Sequence, residues 1–114
     1  MATFILIHGG AHGGWCWENL VPELAARGHR ALAPDLPGMA DSGLPVSAAT
    51  LPNWARFVAD LARAEGEKPI LVGHSRGGPV IGEAGELSPE LFLGLVYLTA
   101  LMLPPGKKTM DAFT

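Results

Sequence analysis

Three stretches of the chain are apolar without a break and rich in branched side chains: Phe4-Ile5-Leu6-Ile7, Pro69-Ile70-Leu71-Val72 and Leu93-Gly94-Leu95-Val96-Tyr97-Leu98. Short apolar runs without alternation mark strands buried on both faces, as the inner strands of a parallel sheet are. Between them the pattern changes to helical spacing. Leu20, Val21, Leu24 and Ala25 form one stripe, closed by Gly28. Leu51, Trp54, Val58 and Leu61 form another, with Thr50 as N-cap and Pro52 in the first turn. Both stripes read as core. The order predicted is strand 3–8, helix 16–27, strand 30–34, loop 35–49, helix 50–65, strand 69–73, helix 77–87 and strand 93–100. Strands alternating with helices imply right-handed βαβ units. The expected class is therefore α/β, a mostly parallel sheet of four strands flanked by helices.

Composition narrows the picture. Of the 114 residues 48% are hydrophobic and only 17% charged, a balance for one small packed domain rather than a disordered segment. The net charge of −3, with no run of like charges, offers no basic face, so no nucleic-acid partner is expected. Leu91 to Leu103 is too short to span a bilayer and contains Gly94, Tyr97 and Thr99; no membrane association is expected. Met1-Ala2-Thr3 carries no basic residue ahead of a short apolar run, and Cys16 has no second cysteine to pair with. A cytoplasmic protein is the expectation.

The densest chemical signal is Gly73-His74-Ser75-Arg76-Gly77, directly after the second apolar run. A G-x-S-x-G pentapeptide at a strand-to-helix turn puts a serine at the apex of a strained bend, with its hydroxyl projecting from the sheet. Only very small side chains fit two places before and after it. The first strand also ends in a glycine-rich loop, His8-Gly9-Gly10-Ala11-His12-Gly13-Gly14, which can bring bare backbone N–H groups close to a ligand. These glycines do not have dinucleotide spacing, and Gly73 to Gly78 lacks the Lys-Ser/Thr pair of a phosphate loop. His8, His12 and Cys16 do not share a helical face, so neither a metal nor a cofactor is expected. His8 is expected to end its strand and brace the glycine loop, His74 to pack beneath the turn and His29 to be exposed. Asp35 is expected to shape its loop through hydrogen bonds to backbone. His12 either lines a pocket or anchors its loop by a hydrogen bond, and Trp15 and Trp17 are either core or an apolar pocket wall.

At the pentapeptide, at His8 through Trp15 with Trp17 just beyond, and at the turn-rich Asp35-Leu36-Pro37-Gly38-Met39-Ala40-Asp41-Ser42, the chain resembles the α/β-hydrolase superfamily. It is most similar to the compact branch of plant methylesterases, hydroxynitrile lyases and related bacterial esterases. The resemblance covers essentially all 114 residues but only the N-terminal half of such an enzyme. It implies Ser75 as nucleophile, an oxyanion hole from the backbone N–H groups of Gly10 and Arg76, and Gly9, His12 and Trp15 at the substrate pocket. The Arg76 side chain is expected to face solvent. The implied reaction is hydrolysis of a small-molecule carboxylic ester through an acyl-enzyme. In hydroxynitrile lyases of this branch a threonine follows the first histidine and a cysteine follows the serine. Gly9 and Arg76 stand there in this chain, which favours ester hydrolysis over cyanohydrin cleavage.

The superfamily orders its triad serine, acid, histidine. Here the histidines are 8, 12, 29 and 74, and none follows Ser75. Residues 1–114 therefore read as half a catalytic domain, without cap, catalytic acid or catalytic histidine. The alternatives are an inactive structural fragment needing a complementing segment, a non-catalytic ligand-binding relative, and a C–C lyase. The strand near 93–100 would lie at the sheet's edge with its apolar residues bare, ready for a complementing C-terminal segment or for self-association.

Overall fold

Strands β1 (Thr3–Ile7), β2 (Arg30–Leu32), β3 (Ile70–His74) and β4 (Gly94–Leu98) form one parallel sheet in the order β2-β1-β3-β4, in a computed structural model that describes residues 1–10 and 12–98. Three helices accompany them: α1 (Leu20–Ala26), α2 (Leu51–Arg63) and α3 (Gly77–Leu87). The strand periodicity of two divides the central strands between two cores. Ile5, Ile7 and Leu71 face α2 and α3 and pack with Trp54, Val58, Val80 and Ile81. Leu6 and Val72 face the other way, against Trp17, Leu20, Val21 and Leu24. Burying each such side chain contributes about 1.5–3 kcal/mol, so the sheet centre is the stable platform for whatever its loops carry.

Thr50 caps α2 as its position predicts: its hydroxyl accepts from the Asn53 N–H at 3.2 Å. Gly28, at φ +82°, ends α1 as the stripe predicts, in a Schellman motif. Its N–H reaches the Ala25 carbonyl, and that of His29 the Leu24 carbonyl, both at 3.0 Å.

Four expectations change. The helix expected over 16–27 is two elements, a 3₁₀ turn Gly14–Trp17 and then α1. Pro22 is the cause: it has no N–H to give the Glu18 carbonyl, and its ring would crowd that carbonyl in a continuous helix. Within α1 the stripe is narrower than expected, because Ala25 is exposed. The second strand stops at Leu32, since an edge strand running into Pro34 gains nothing from continuing. His29 is half-buried, accepting the Ala2 N–H at 3.0 Å through Nδ1 and lying edge-on to Phe4. The last strand runs to Leu98, and the remainder of its expected span, 99–100, lies outside the described residues.

Candidate active site

β1 and β3 are neighbours, with Ile7 opposite Gly73, so the loops leaving their carboxyl ends meet. The turn from β3 into α3 is as tight as the pentapeptide implies. Ser75 has φ +54°, a left-handed conformation that non-glycine residues rarely adopt. The N–H of Gly78 already bonds the Ser75 carbonyl at 3.0 Å, so helix begins immediately. A Cβ on Gly73 would stand 2.6 Å from the Gly77 carbonyl oxygen, and one on Gly77 2.6 Å from that of Ile7. Both walls are backbone, which is why glycine is required on each side of the serine.

The β1 loop lies directly over this turn. A Cβ on Gly9 would be 3.1 Å from Ser75 Cβ and 3.2 Å from the His74 carbonyl oxygen. Among the described residues, neither the Gly10 nor the Arg76 N–H donates a hydrogen bond within the chain. Two uncommitted donors thus flank the serine, one on each loop. The first turn of α3 adds the partial positive charge of a helix N-terminus on the same side.

His8 holds the loops in register. It is buried, and its Nε2 accepts the Leu36 N–H at 3.1 Å. Nδ1 therefore carries the proton and donates to the Gly9 carbonyl at 2.9 Å, the bracing expected of it. Burial is the main influence on this ring and pushes its pKa below the usual 6.5, against a smaller upward pull from the Gly9 bond and Asp35. A lowered native pKa means the unfolded chain takes up the proton first as pH falls. Stability should therefore be full above pH 6.5 and decline as pH drops from 6.5 through the native value. Urea midpoints at pH 8 and pH 5 will show this decline, and His8→Gln will flatten it.

Asp35 acts across loops rather than within its own: its carboxylate accepts the Gly14 N–H at 2.7 Å. Burial raises the Cys16 thiol pKa, so Cys16 stays a protonated, half-buried filler.

The aromatic residues separate. Trp17 is core, whereas Trp15 is 59% exposed beside His12, with ring centres 5.3 Å apart. Among the described residues the His12 ring makes no anchoring hydrogen bond: its Nδ1 is buried without a partner, and the ring stacks on His74 at 6.0 Å. His74 sits between that ring and the edge of Trp17. Among the described residues no histidine ring hydrogen-bonds the Ser75 hydroxyl.

Arg76 departs from expectation. Its side chain folds inward instead of facing solvent, with Cζ 4.9 Å from the centre of the Trp54 ring and Nη2 3.7 Å from Met39 Sδ. Trp54 and Met39 are thus part of the site's surroundings, a role their places in a core stripe and a turn-rich loop do not announce. The available signal was the indole N–H, which needs a partner when buried and finds the Pro37 carbonyl at 2.8 Å. Among the described residues no three His, Cys, Asp or Glu side chains come together as a metal site, and no helix is long and apolar enough to cross a membrane.

A model described as the alpha/beta hydrolase family matches residues 4–113. The chain is 46% identical over 108 residues to a pyrethroid hydrolase of Sphingobium wenxiniae, covering 93% of this chain and 38% of that protein. It is 40% identical over 106 residues to methylesterase 1 of Arabidopsis thaliana, covering 87% of this chain and 39% of that one. Among solved structures, polyneuridine aldehyde esterase superposes with a TM-score of 0.87 at 30% identity, over 99% of this chain and 46% of that one. The chain spans less than half the length of each of these relatives.

Proposed function

The chain belongs to the alpha/beta hydrolase family, and from that premise we propose that it carries the nucleophile and oxyanion hole of a carboxylic-ester hydrolase. The observation that carries the proposal is Ser75 in a strained left-handed conformation, with the N–H groups of Gly10 and Arg76, which donate to nothing among the described residues, on the two adjoining loops. Ser75 Oγ attacks the ester carbonyl while a base takes its proton. The carbonyl oxygen becomes an oxyanion between the two N–H groups, each such donor being worth about 3 kcal/mol of barrier. Collapse expels the alcohol, which takes a proton from the protonated base, and leaves the acyl group on Ser75. A water, deprotonated by the same base, then releases the acid. Gly9, His12 and Trp15 border the space in which the ester lies. Names such as pyrethroid hydrolase and methylesterase among the relatives support an ester substrate.

The base is not among these residues. No histidine follows Ser75, and His8 and His74 are committed to bracing and packing. A serine hydroxyl without a base is a poor nucleophile at neutral pH. We therefore assign residues 1–114 to the N-terminal half of a catalytic domain whose acid and histidine lie in further sequence. The β4 edge supports this: Leu93, Leu95, Val96 and Leu98 are 36% to 68% exposed, an apolar surface that a following segment would cover. A second copy of the chain could cover the edge but brings the same four histidines and no base.

Turnover of a simple aryl ester tests the proposal. The 114 residues alone are expected to self-associate and give little rate, whereas a polypeptide extended by the missing acid and histidine turns over. If the extended polypeptide also fails, a non-catalytic ligand-binding relative is the better reading. Cyanide release from a cyanohydrin would instead point to a C–C lyase.

A further inference from the structure

We propose that the Arg76 side chain is a positioning residue that fixes the Gly10 donor of the oxyanion hole, so that one residue supplies one donor through its backbone and holds the other through its guanidinium. The inference rests on the oxyanion reading above. Cζ, Nε and Nη1 of Arg76 lie 3.6, 3.6 and 3.8 Å from the point where a Gly10 Cβ would be. Three such similar distances describe a flat group facing Gly10 on the side where a side chain would project, close enough to touch a Cβ placed there. The guanidinium is itself held in place, by the Trp54 ring and by Met39 Sδ. Trp54 is in turn tied to the Pro37 carbonyl. A chain of contacts thus runs from α2 and the loop after β2 to Arg76, whose guanidinium faces the loop that carries Gly10.

Gly10 needs such a support. It stands among glycines, has no side chain to anchor it, and the three atoms nearest to the place of a Cβ there all belong to the Arg76 side chain. A donor misplaced by about 1 Å can cost about a hundredfold in rate. Arginine suits the task because its guanidinium is planar and stacks, whereas the lysine ammonium is a compact, strongly hydrated point charge. Among the described residues no carboxylate pairs with Arg76, so stacking rather than an ion pair holds it.

The test uses the polypeptide extended through its C-terminal sequence, with an aryl ester as substrate and an aryl trifluoromethyl ketone as a mimic of the oxyanion. Arg76→Ala is expected to lower kcat at least tenfold with KM within twofold, and to weaken the ketone by the same factor as kcat. Arg76→Lys should not restore the rate. Arg76→Met, which keeps the apolar stem and loses the plane, carries the same expectation should Arg76→Ala fold poorly. An unchanged kcat in both variants overturns the proposal, as does full rescue by lysine or a rise in KM alone. Labelling of the parent protein by a fluorophosphonate separates the two readings: without labelling at Ser75 the oxyanion reading fails and this one with it. With labelling and an unchanged kcat, only the brace fails.

Discussion

Ser75→Gly is expected to yield a more stable protein with no esterase activity. The serine sits at φ +54°, where a side chain costs about 1–3 kcal/mol of local strain. Glycine adopts this conformation freely, though it returns roughly 0.5–1 kcal/mol of chain entropy to the unfolded state. A net gain of about 1 kcal/mol should remain, visible as a higher urea midpoint. In a polypeptide extended to include the base, turnover should fall by about 10⁶-fold, the scale seen when a serine protease loses its nucleophile. Stability and activity moving in opposite directions is what a strained functional residue predicts. A lower midpoint would instead mean that the serine is a packing residue and that the bend is not strained by it.

Gly77→Ala should have a large effect on folding. The added methyl would stand 2.6 Å from the Ile7 carbonyl oxygen and 3.1 Å from that of His8. Neither can move alone, because Ile7 pairs with Gly73 in the sheet and His8 is held by Leu36 and Gly9. Overpacking against a backbone wall belongs at the upper end of the usual range, about 3 kcal/mol, a large share of a small domain's stability. Gly66→Ala is the matched control: nothing lies within 4 Å of its Cβ position, and the midpoint should move by less than about 0.5 kcal/mol. Equal effects at the two positions would show that glycine is not sterically required at 77.

How much was legible in the sequence follows from how local each feature is. The bend at Ser75, the cap at Thr50 and the end of α1 at Gly28 depend on a few consecutive residues, and residue types alone announce them. The sheet was readable because β1 and β3 are buried on both faces and so carry unbroken apolar runs. Pro22 splitting the first helix was also readable, but the apolar stripe across it concealed the break. The distant partner of His8 was not readable, since Leu36 lies 28 positions away and offers only its N–H. The same holds for Arg76, whose inward path is set by Gly10, Met39 and Trp54, brought together from three segments by the fold. A charged residue after the serine has no local reason to turn inward. Trp54 shows the converse: its helical spacing placed it in the core, yet its ring also supports the guanidinium.

The account turns on Ser75 being an activated nucleophile, and covalent labelling tests that most directly. The polypeptide extended through its C-terminal sequence would be treated with a fluorophosphonate, and the modified peptide located by mass spectrometry. One label per chain, on Ser75 and absent from Ser75→Ala, is the result predicted. A folded protein that takes no label, or takes it elsewhere, would contradict the account.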